Sequence, residues 1–204
     1  VGKGSGGFIT TGADNVCVGS EAGDNLTTGS QNVMLGGSTS MSAAGGTNQS
    51  CLGQNVTCVG NGNFTFGDGT VDSNIANGAT SITAPSDVRL KEDIQDEEVG
   101  LDFIKDLRPV TFQWKKEKDI PSDMRAHVAD SEKRAMNGKY NHGFIAQEVK
   151  EVIDNHNLKD GFDMWTEDET DGRQRIGEAS LMPLMVKALQ ELSAKVEELE
   201  DKLN

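Results

Sequence analysis

Basic residues are scarce in this chain, and they are almost missing from its first part. The 204 residues include 19 Lys and Arg against 33 Asp and Glu, which gives a net charge of −14. Lys3 is the one basic residue before Ser86. Proteins that bind nucleic acid or anionic membranes neutralise phosphates with Lys and Arg. The composition therefore predicts a partner that is neither a nucleic acid nor a membrane.

Long apolar runs are lacking as well. No stretch approaches the roughly 20 apolar residues that span a bilayer, and no signal peptide is visible. The sequence begins at Val1-Gly2-Lys3 in the middle of a repeating pattern. We therefore expect the chain to be a fragment of a longer protein.

Cysteine is rare, and the three in the chain are Cys17, Cys51 and Cys58. Their odd number and their spacing fit no metal-ligand motif, so we expect reduced cysteines packed in β structure rather than a disulfide or a metal site. Zinc motifs, phosphate-binding loops and nucleophile elbows are missing too. The sequence predicts no cofactor and no metal. An acidic loop at Asp168 and Asp171 is interpreted as a solvated charge run rather than a cation site.

Proline does not occur before Pro85, and glycine marks the turns of this first part instead. The glycines that end each repeat are spaced 17, 17, 7 and 7 residues apart: Gly19, Gly36, Gly53, Gly60 and Gly67. Mostly apolar pairs stand one and three places before them: Val18 and Val16, Leu35 and Val33, Leu52 and Ser50, Val59 and Thr57, Phe66 and Phe64. This alternation predicts short strands that each end at a glycine turn.

A repeat this short cannot bury its own apolar face, so successive repeats must stack. We therefore predict a parallel β-solenoid or β-roll with one strand per turn over residues 1–85. Its core is thin, and assembly of several chains around a common axis would supply further burial. Residues 13–67 resemble the head repeats of trimeric autotransporter adhesins and of phage tail fibres.

Residues 86–204 have the pattern of an α+β domain that ends in a coiled-coil helix. The pattern predicts a short helix before Pro109, a strand at residues 110–114, an exposed hairpin or loop at residues 115–141 and a helix at residues 144–155. In the last helix, Ser180 is the expected cap and Pro183 fits the first turn.

The last helix carries apolar residues with alternating spacings of three and four. They form the a/d seam of a heptad repeat: Met182, Met185, Leu189, Leu192, Val196, Leu199 and Leu203. Sustained heptad spacing is typical of a helix that packs against copies of itself. Together with the solenoid, it predicts a parallel homotrimer.

Four motifs in order carry a family resemblance: residues 86–91, residues 107–114, residues 142–149 and the coiled-coil end. They resemble the C-terminal intramolecular chaperone of phage endosialidases, tail spikes and tail fibres. The resemblance implies that residues 86–204 trimerise, guide the folding of the stalk before them, and then release themselves by autoproteolysis. The family's dyad, a Ser that opens the domain and the Lys five residues on, corresponds to Ser86 and Lys91.

A Ser–Lys dyad needs a lysine that has lost its charge, because neutral lysine is the base that takes the serine proton. Burial on assembly is the expected cause, since desolvation disfavours a charged ammonium group. Ser86 would then cut the chain at its bond to Pro85. This implies a single-turnover serine autopeptidase that needs no cofactor, because the chain supplies its own substrate.

These observations predict a chaperone whose partners are its own copies and the upstream part of a fibre or spike. The stalk would remain in the virion tail, and the released domain would stay in the host cytoplasm. The alternative is a structural tip of a trimeric viral fibre that binds a receptor and is never cleaved.

Overall fold

The structure is a computed structural model that describes residues 1–69, 71–158 and 162–203. The chain divides into two compact units, Val1–Ile94 and Gln95–Asn204, which are described separately. The domain boundary predicted between Pro85 and Ser86 is the expected cleavage site, and it stays a prediction.

The first unit is a β-solenoid of about 3 turns. Strands β1 (Val16–Val18), β2 (Val33–Leu35), β3 (Gln49–Gln54) and β4 (Asn63–Asp68) pair in parallel, and β5 (Val71–Ala76) closes the sheet antiparallel to β4. The predicted β-solenoid is confirmed. The antiparallel fifth strand carries no glycine repeat and was not foreseen.

The last repeat of the solenoid is longer than the seven-residue glycine spacing predicted. Gly53 pairs with Gly67 across β3 and β4, so one turn of the solenoid separates them. Gly60, which was expected to end a strand of its own, does not lie in this column. The segment before it contacts a different part of the preceding turn, where Thr57 bridges to Ser40.

The strands are oriented opposite to the expectation, which was that their apolar pairs would be buried. The residue between each pair points inward, so that Met34 and Cys51 are buried together with Leu26, Met41, Val56 and Cys58. The pairs themselves face outward. A sequence pattern of period two defines the two faces of a strand but does not say which one the turns will enclose.

Amide side chains hold the turns in register. Asn15 accepts hydrogen bonds at its Oδ1 from the backbone and side-chain nitrogens of Asn32, at 3.1 and 2.9 Å. The Oδ1 of Asn32 accepts in turn from the backbone nitrogen of Gln49 at 2.9 Å. Asn32 and Gln49 are fully buried, so each bond satisfies a group that would be costly to leave unpaired. The equivalent positions repeat every turn.

The cysteine prediction is wrong for two of the three residues. Cys51 and Cys58 form a disulfide with their Cα atoms 5.6 Å apart, and Cys17 is free. Cys51 is on β3 and Cys58 lies seven residues further on, inside the same core. The sequence spacing alone did not show that the turn brings these two positions face to face.

In its described residues, the second unit contains three α-helices and two small antiparallel sheets. Its elements are α1 (Leu101–Asp106), β6 (Val110–Phe112), β7 (Asn141–Gly143), α2 (Ala146–Asn155), β8 (Trp165–Glu167), β9 (Gln174–Ile176) and α3 (Leu181–Leu203). β6 pairs with β7, and β8 pairs with β9. Helices α1 and α2 and the strand near residue 110 are present but shorter than the patterns suggested, whereas α3 extends to Leu203 as the heptad pattern indicated.

One apolar cluster holds these elements together. Its buried members are Phe103, Leu107, Val149, Ile153, Met164, Leu181 and Leu184. The carboxylate of Glu191 on α3 also accepts a hydrogen bond at 2.9 Å from the backbone nitrogen of Leu101. This contact pairs one of the free nitrogens at the start of α1, so α1 and α3 are joined by both packing and a polar bond.

Helix α3 has two apolar stripes rather than one. Leu181, Leu184 and Ala188 pack into the core of the second unit. The a/d seam predicted from the sequence lies outside that core, and all seven of its residues are exposed. No helix in the described part of the chain is long and apolar enough to cross a membrane.

Candidate functional site

Ser86 and Lys91 lie at the two ends of a short turn. Residues Val88–Leu90 form a 3₁₀ helix, and Asp87 caps it by accepting a hydrogen bond at Oδ1 from the backbone nitrogen of Arg89 at 2.9 Å. The backbone nitrogen of Lys91 donates to the carbonyl of Val88 at 3.2 Å. This turn reverses the chain, so a residue before it and a residue after it come close.

The turn brings the two predicted site residues into contact. Lys91 Nζ donates a hydrogen bond to Ser86 Oγ over 2.8 Å. This distance is within the range that proton transfer between a base and its hydroxyl requires. An ammonium group donates in this contact, whereas a neutral amine at the same distance can accept the hydroxyl proton. The geometry is therefore compatible with a Ser–Lys dyad.

Asp87 and Arg89 form a second pair inside the same turn. Arg89 donates through Nε and Nη2 to the two carboxylate oxygens of Asp87 over 2.9 and 2.6 Å. Hydrogen bonds from the Arg89 side chain lower the pKa of the Asp87 carboxyl from its usual value. Both side chains are exposed, so the pair adds little stability. The pair holds the Asp87 carboxylate on Arg89, next to the contact between Ser86 and Lys91.

The sequence interpretation gave Asp87 no role. An aspartate directly before a short helical stretch is a common N-cap, and this signal was available. What the sequence did not show is that residues 88–90 would take a 3₁₀ conformation.

The surroundings of the site are open to solvent. Pro85, Ser86 and Lys91 are all exposed, as are the apolar side chains of Val88 and Leu90. A single chain therefore supplies the contact between hydroxyl and amine at a position that is open to solvent.

The three histidines lie outside the Ser86–Lys91 contact and have partners of their own. His127 Nδ1 lies 2.8 Å from the carbonyl oxygen of Ile120, and His156 Nε2 lies 2.8 Å from a carboxylate oxygen of Asp106. His142 is on β7, opposite Thr111 of β6. These contacts belong to the packing of the second unit.

Two aspartates of the acidic loop near residue 170 pair with arginines that follow them in the chain. Arg175 binds both carboxylate oxygens of Asp168, at 2.5 and 2.7 Å, and lowers the pKa of that carboxyl. Arg173 binds Asp171 at 2.9 Å. Among the described residues, no group of His, Cys, Asp and Glu is arranged to hold a metal ion.

The chain thus combines a β-solenoid with a helical unit whose last helix is exposed along its seam. Residues 86–158 match the family described as chaperone of endosialidase. The match begins at Ser86 and supports an endosialidase-type chaperone domain in this part of the chain. The name of the matching family also contains the word peptidase. No curated protein and no solved structure matches the chain.

Proposed function

We propose that this chain is a trimerising intramolecular chaperone joined to the end of a phage fibre or spike stalk, and that it cuts itself between Pro85 and Ser86. The contact of 2.8 Å between Lys91 Nζ and Ser86 Oγ is the observation that carries this proposal. The family match that begins at Ser86 supports it, because the matched domain starts at the residue proposed to be the nucleophile.

The proposed reaction uses only groups of the chain and water. Neutral Lys91 takes the hydroxyl proton of Ser86 while Oγ attacks the carbonyl carbon of Pro85. The bond between this carbon and the Ser86 nitrogen breaks, and the nitrogen receives the proton and becomes a free amine. Water then hydrolyses the Pro85 ester. The products are a stalk that ends in the Pro85 carboxylate and a chaperone domain that begins at Ser86.

Assembly is proposed as the step that activates the dyad. In one chain Lys91 is exposed, and so is the a/d seam of α3. Three copies that bury their seams would bring three chaperone domains together, and burial of the exposed segment around Lys91 would favour the neutral amine. Cleavage would then follow trimerisation instead of preceding it.

The proposed partners are two further copies of the chain and the upstream part of the fibre. Neither a nucleic acid nor a membrane is included, since the chain carries a net charge of −14. The cut stalk would stay in the virion tail, and the chaperone domain would be left in the host cytoplasm.

Mass spectrometry of freshly expressed chain tests the proposal. We expect a fragment that begins at Ser86, and we expect Ser86→Ala and Lys91→Ala to leave the chain uncut. Ser81→Ala is the matched control, because Ser81 is an exposed serine of the same unit. Efficient cutting of either dyad variant would disprove the dyad. A folded wild-type trimer that is never cut would instead favour the receptor-binding tip.

A further inference from the structure

The outward face of the solenoid sheet is apolar, and within the described residues of the first unit several of its side chains are exposed. Register places its residues in two columns, Val16-Val33-Ser50-Phe64-Ile75 and Val18-Leu35-Leu52-Phe66-Ser73. We name these ten positions the outer ladder. Eight of them are apolar and none is charged.

The ladder remains exposed although its strands are well paired. Val16, Val18, Leu35 and Leu52 keep between 37% and 48% of their surface in contact with solvent. The rings of Phe64 and Phe66 stack on each other with centroids 5.3 Å apart, which extends the apolar surface onto β4. An uncharged apolar face with a polar rim is a surface against which another protein can pack.

We propose that the outer ladder packs against the outer ladders of two further copies of this chain, around an axis that runs along the solenoid. This inference rests on the proposed trimer and identifies the surface that the stalk contributes to it. The seam of α3 would hold the chaperone domains together, and the outer ladder would continue the same three-chain contact into the stalk.

The chemistry of the ladder favours copies of itself over other partners. Its apolar side chains repeat at the strand spacing of about 4.8 Å, and another copy of the ladder repeats at the same spacing, so each turn can meet an equivalent turn. A glycan receptor would need polar groups, and Ser50 and Ser73 are the two hydroxyl side chains on this face. Asp14, Gln31 and Asn48, which stand before the first three strands, are exposed and polar, as expected at the rim of an interface.

The size of the ladder explains why the stalk needs a guide. Five strands at about 4.8 Å and three residues at about 3.3 Å give a face of roughly 24 by 10 Å. This is well below the roughly 800 Å² that each partner buries in a stable interface. The stretch of stalk present here therefore cannot hold three chains together by this face alone. Tethering by the trimerised chaperone domain raises the local concentration of the ladders and lets them pair.

Photo-crosslinking in the full-length chain tests this inference. The Ser86→Ala chain keeps the stalk attached to its chaperone domain, and p-benzoyl-phenylalanine is placed at Leu35 of the ladder or at Thr28, an exposed residue on the same turn outside it. A second pair of sites, Leu52 and Ala43, repeats the comparison on the next turn. Limited proteolysis shows whether each variant is folded, and light scattering gives its oligomeric state.

We expect trimers in which the probes at Leu35 and Leu52 give at least tenfold more chain-to-chain crosslinking than those at Thr28 and Ala43. Trimers that crosslink equally from both kinds of site would overturn the role of the ladder and leave the proposed function intact. Folded monomers would overturn the proposed trimer, and the ladder inference would fail with it.

Discussion

At the scale of single residues, Asp87 is the group that shapes the candidate site. It caps the turn between Ser86 and Lys91 through the backbone nitrogen of Arg89. We expect Asp87→Ala to slow self-cleavage several-fold, because the turn that brings Lys91 Nζ to Ser86 Oγ would be populated less. Asp87→Asn should retain most of the rate, since Asn caps helices about as well as Asp. The rate is measured by following the uncut chain over time by electrophoresis.

The control for this prediction is Asp96→Ala, which removes an exposed carboxylate outside the turn. Its rate should equal that of the wild type. If Asp87→Ala cut as fast as this control, the capped turn would have no part in positioning the dyad.

The backbone conformation and close packing at Gly36 leave no room for a side chain. The φ of Gly36 is +137°, and a Cβ there would lie 1.7 Å from the carbonyl oxygen of Gly53 on the next turn. The neighbouring atom is backbone, so it cannot move aside without opening the solenoid. We expect Gly36→Ala to destabilise the stalk by more than about 2 kcal/mol, measured by chemical denaturation of the uncut chain.

Gly62→Ala provides the comparison for this substitution. Gly62 also has a positive φ, +70°, but a Cβ there would meet no atom within 4 Å. The loss of stability should be about 1–2 kcal/mol, which is the cost of a left-handed backbone for a residue with a side chain. Equal losses at both positions would mean that conformation, rather than the close approach of successive turns, governs the glycine column.

At the scale of secondary-structure elements, helix α3 has one apolar stripe that is packed and one that is exposed. Leu184 packs into its own unit, while Leu192 and Leu199 are exposed. Replacing Leu192 and Leu199 with Asp would put unpaired charges into the seam that the proposed trimer buries. We expect this double variant to be monomeric by light scattering and to cleave at least tenfold more slowly than the wild type.

The matched control carries two new aspartates on the outer face of the same helix, Gln190→Asp and Ala194→Asp. It should remain trimeric and cleave normally. A Leu192 and Leu199 variant that is monomeric yet cut at the normal rate would separate assembly from activation of the dyad.

The elements also show where sequence interpretation succeeds. The heptad of α3 is a long and strict pattern, and its helix is present to Leu203. The 17-residue glycine spacing correctly pairs β1, β2 and β3. Patterns of this kind predict structure correctly because the backbone repeats with the same period as the sequence.

Other features depend on contacts that no local pattern encodes. The disulfide of Cys51 and Cys58 results from the path of one turn, and the change of register at Gly67 results from a shorter turn between β3 and β4. The inward face of each strand is chosen by the turns around it, so Met34 is buried and Leu35 is not. At the site, the family resemblance suggested the Ser86–Lys91 dyad, but the hydrogen bond between its members needs the 3₁₀ turn.

At the scale of the whole molecule, the proposed chaperone solves a problem of register. Short parallel strands with repeated sequence can pair one turn out of place at little cost, and pairing of distant strands is slow. A domain that trimerises first would align three stalks from their shared end. The proposed cleavage would then remove the guide, so the finished stalk would be trapped kinetically as well as stabilised thermodynamically.

This reasoning gives a prediction about refolding. The processed stalk trimer and the uncut Ser86→Ala trimer are unfolded in denaturant, returned to native buffer, and separated by size-exclusion chromatography. We expect substantial recovery of trimer for the uncut protein, whose chaperone domain can reassemble through α3 and realign the turns that end at Gly19, Gly36, Gly53 and Gly67. The processed stalk should recover poorly, because its outer ladder is too small to set the register alone.

A control in which the uncut chain also carries the Leu192 and Leu199 aspartates should recover as poorly as the processed stalk. Equal recovery of processed and uncut trimers would mean that the stalk encodes its own register, and the second domain would then be a tip rather than a chaperone.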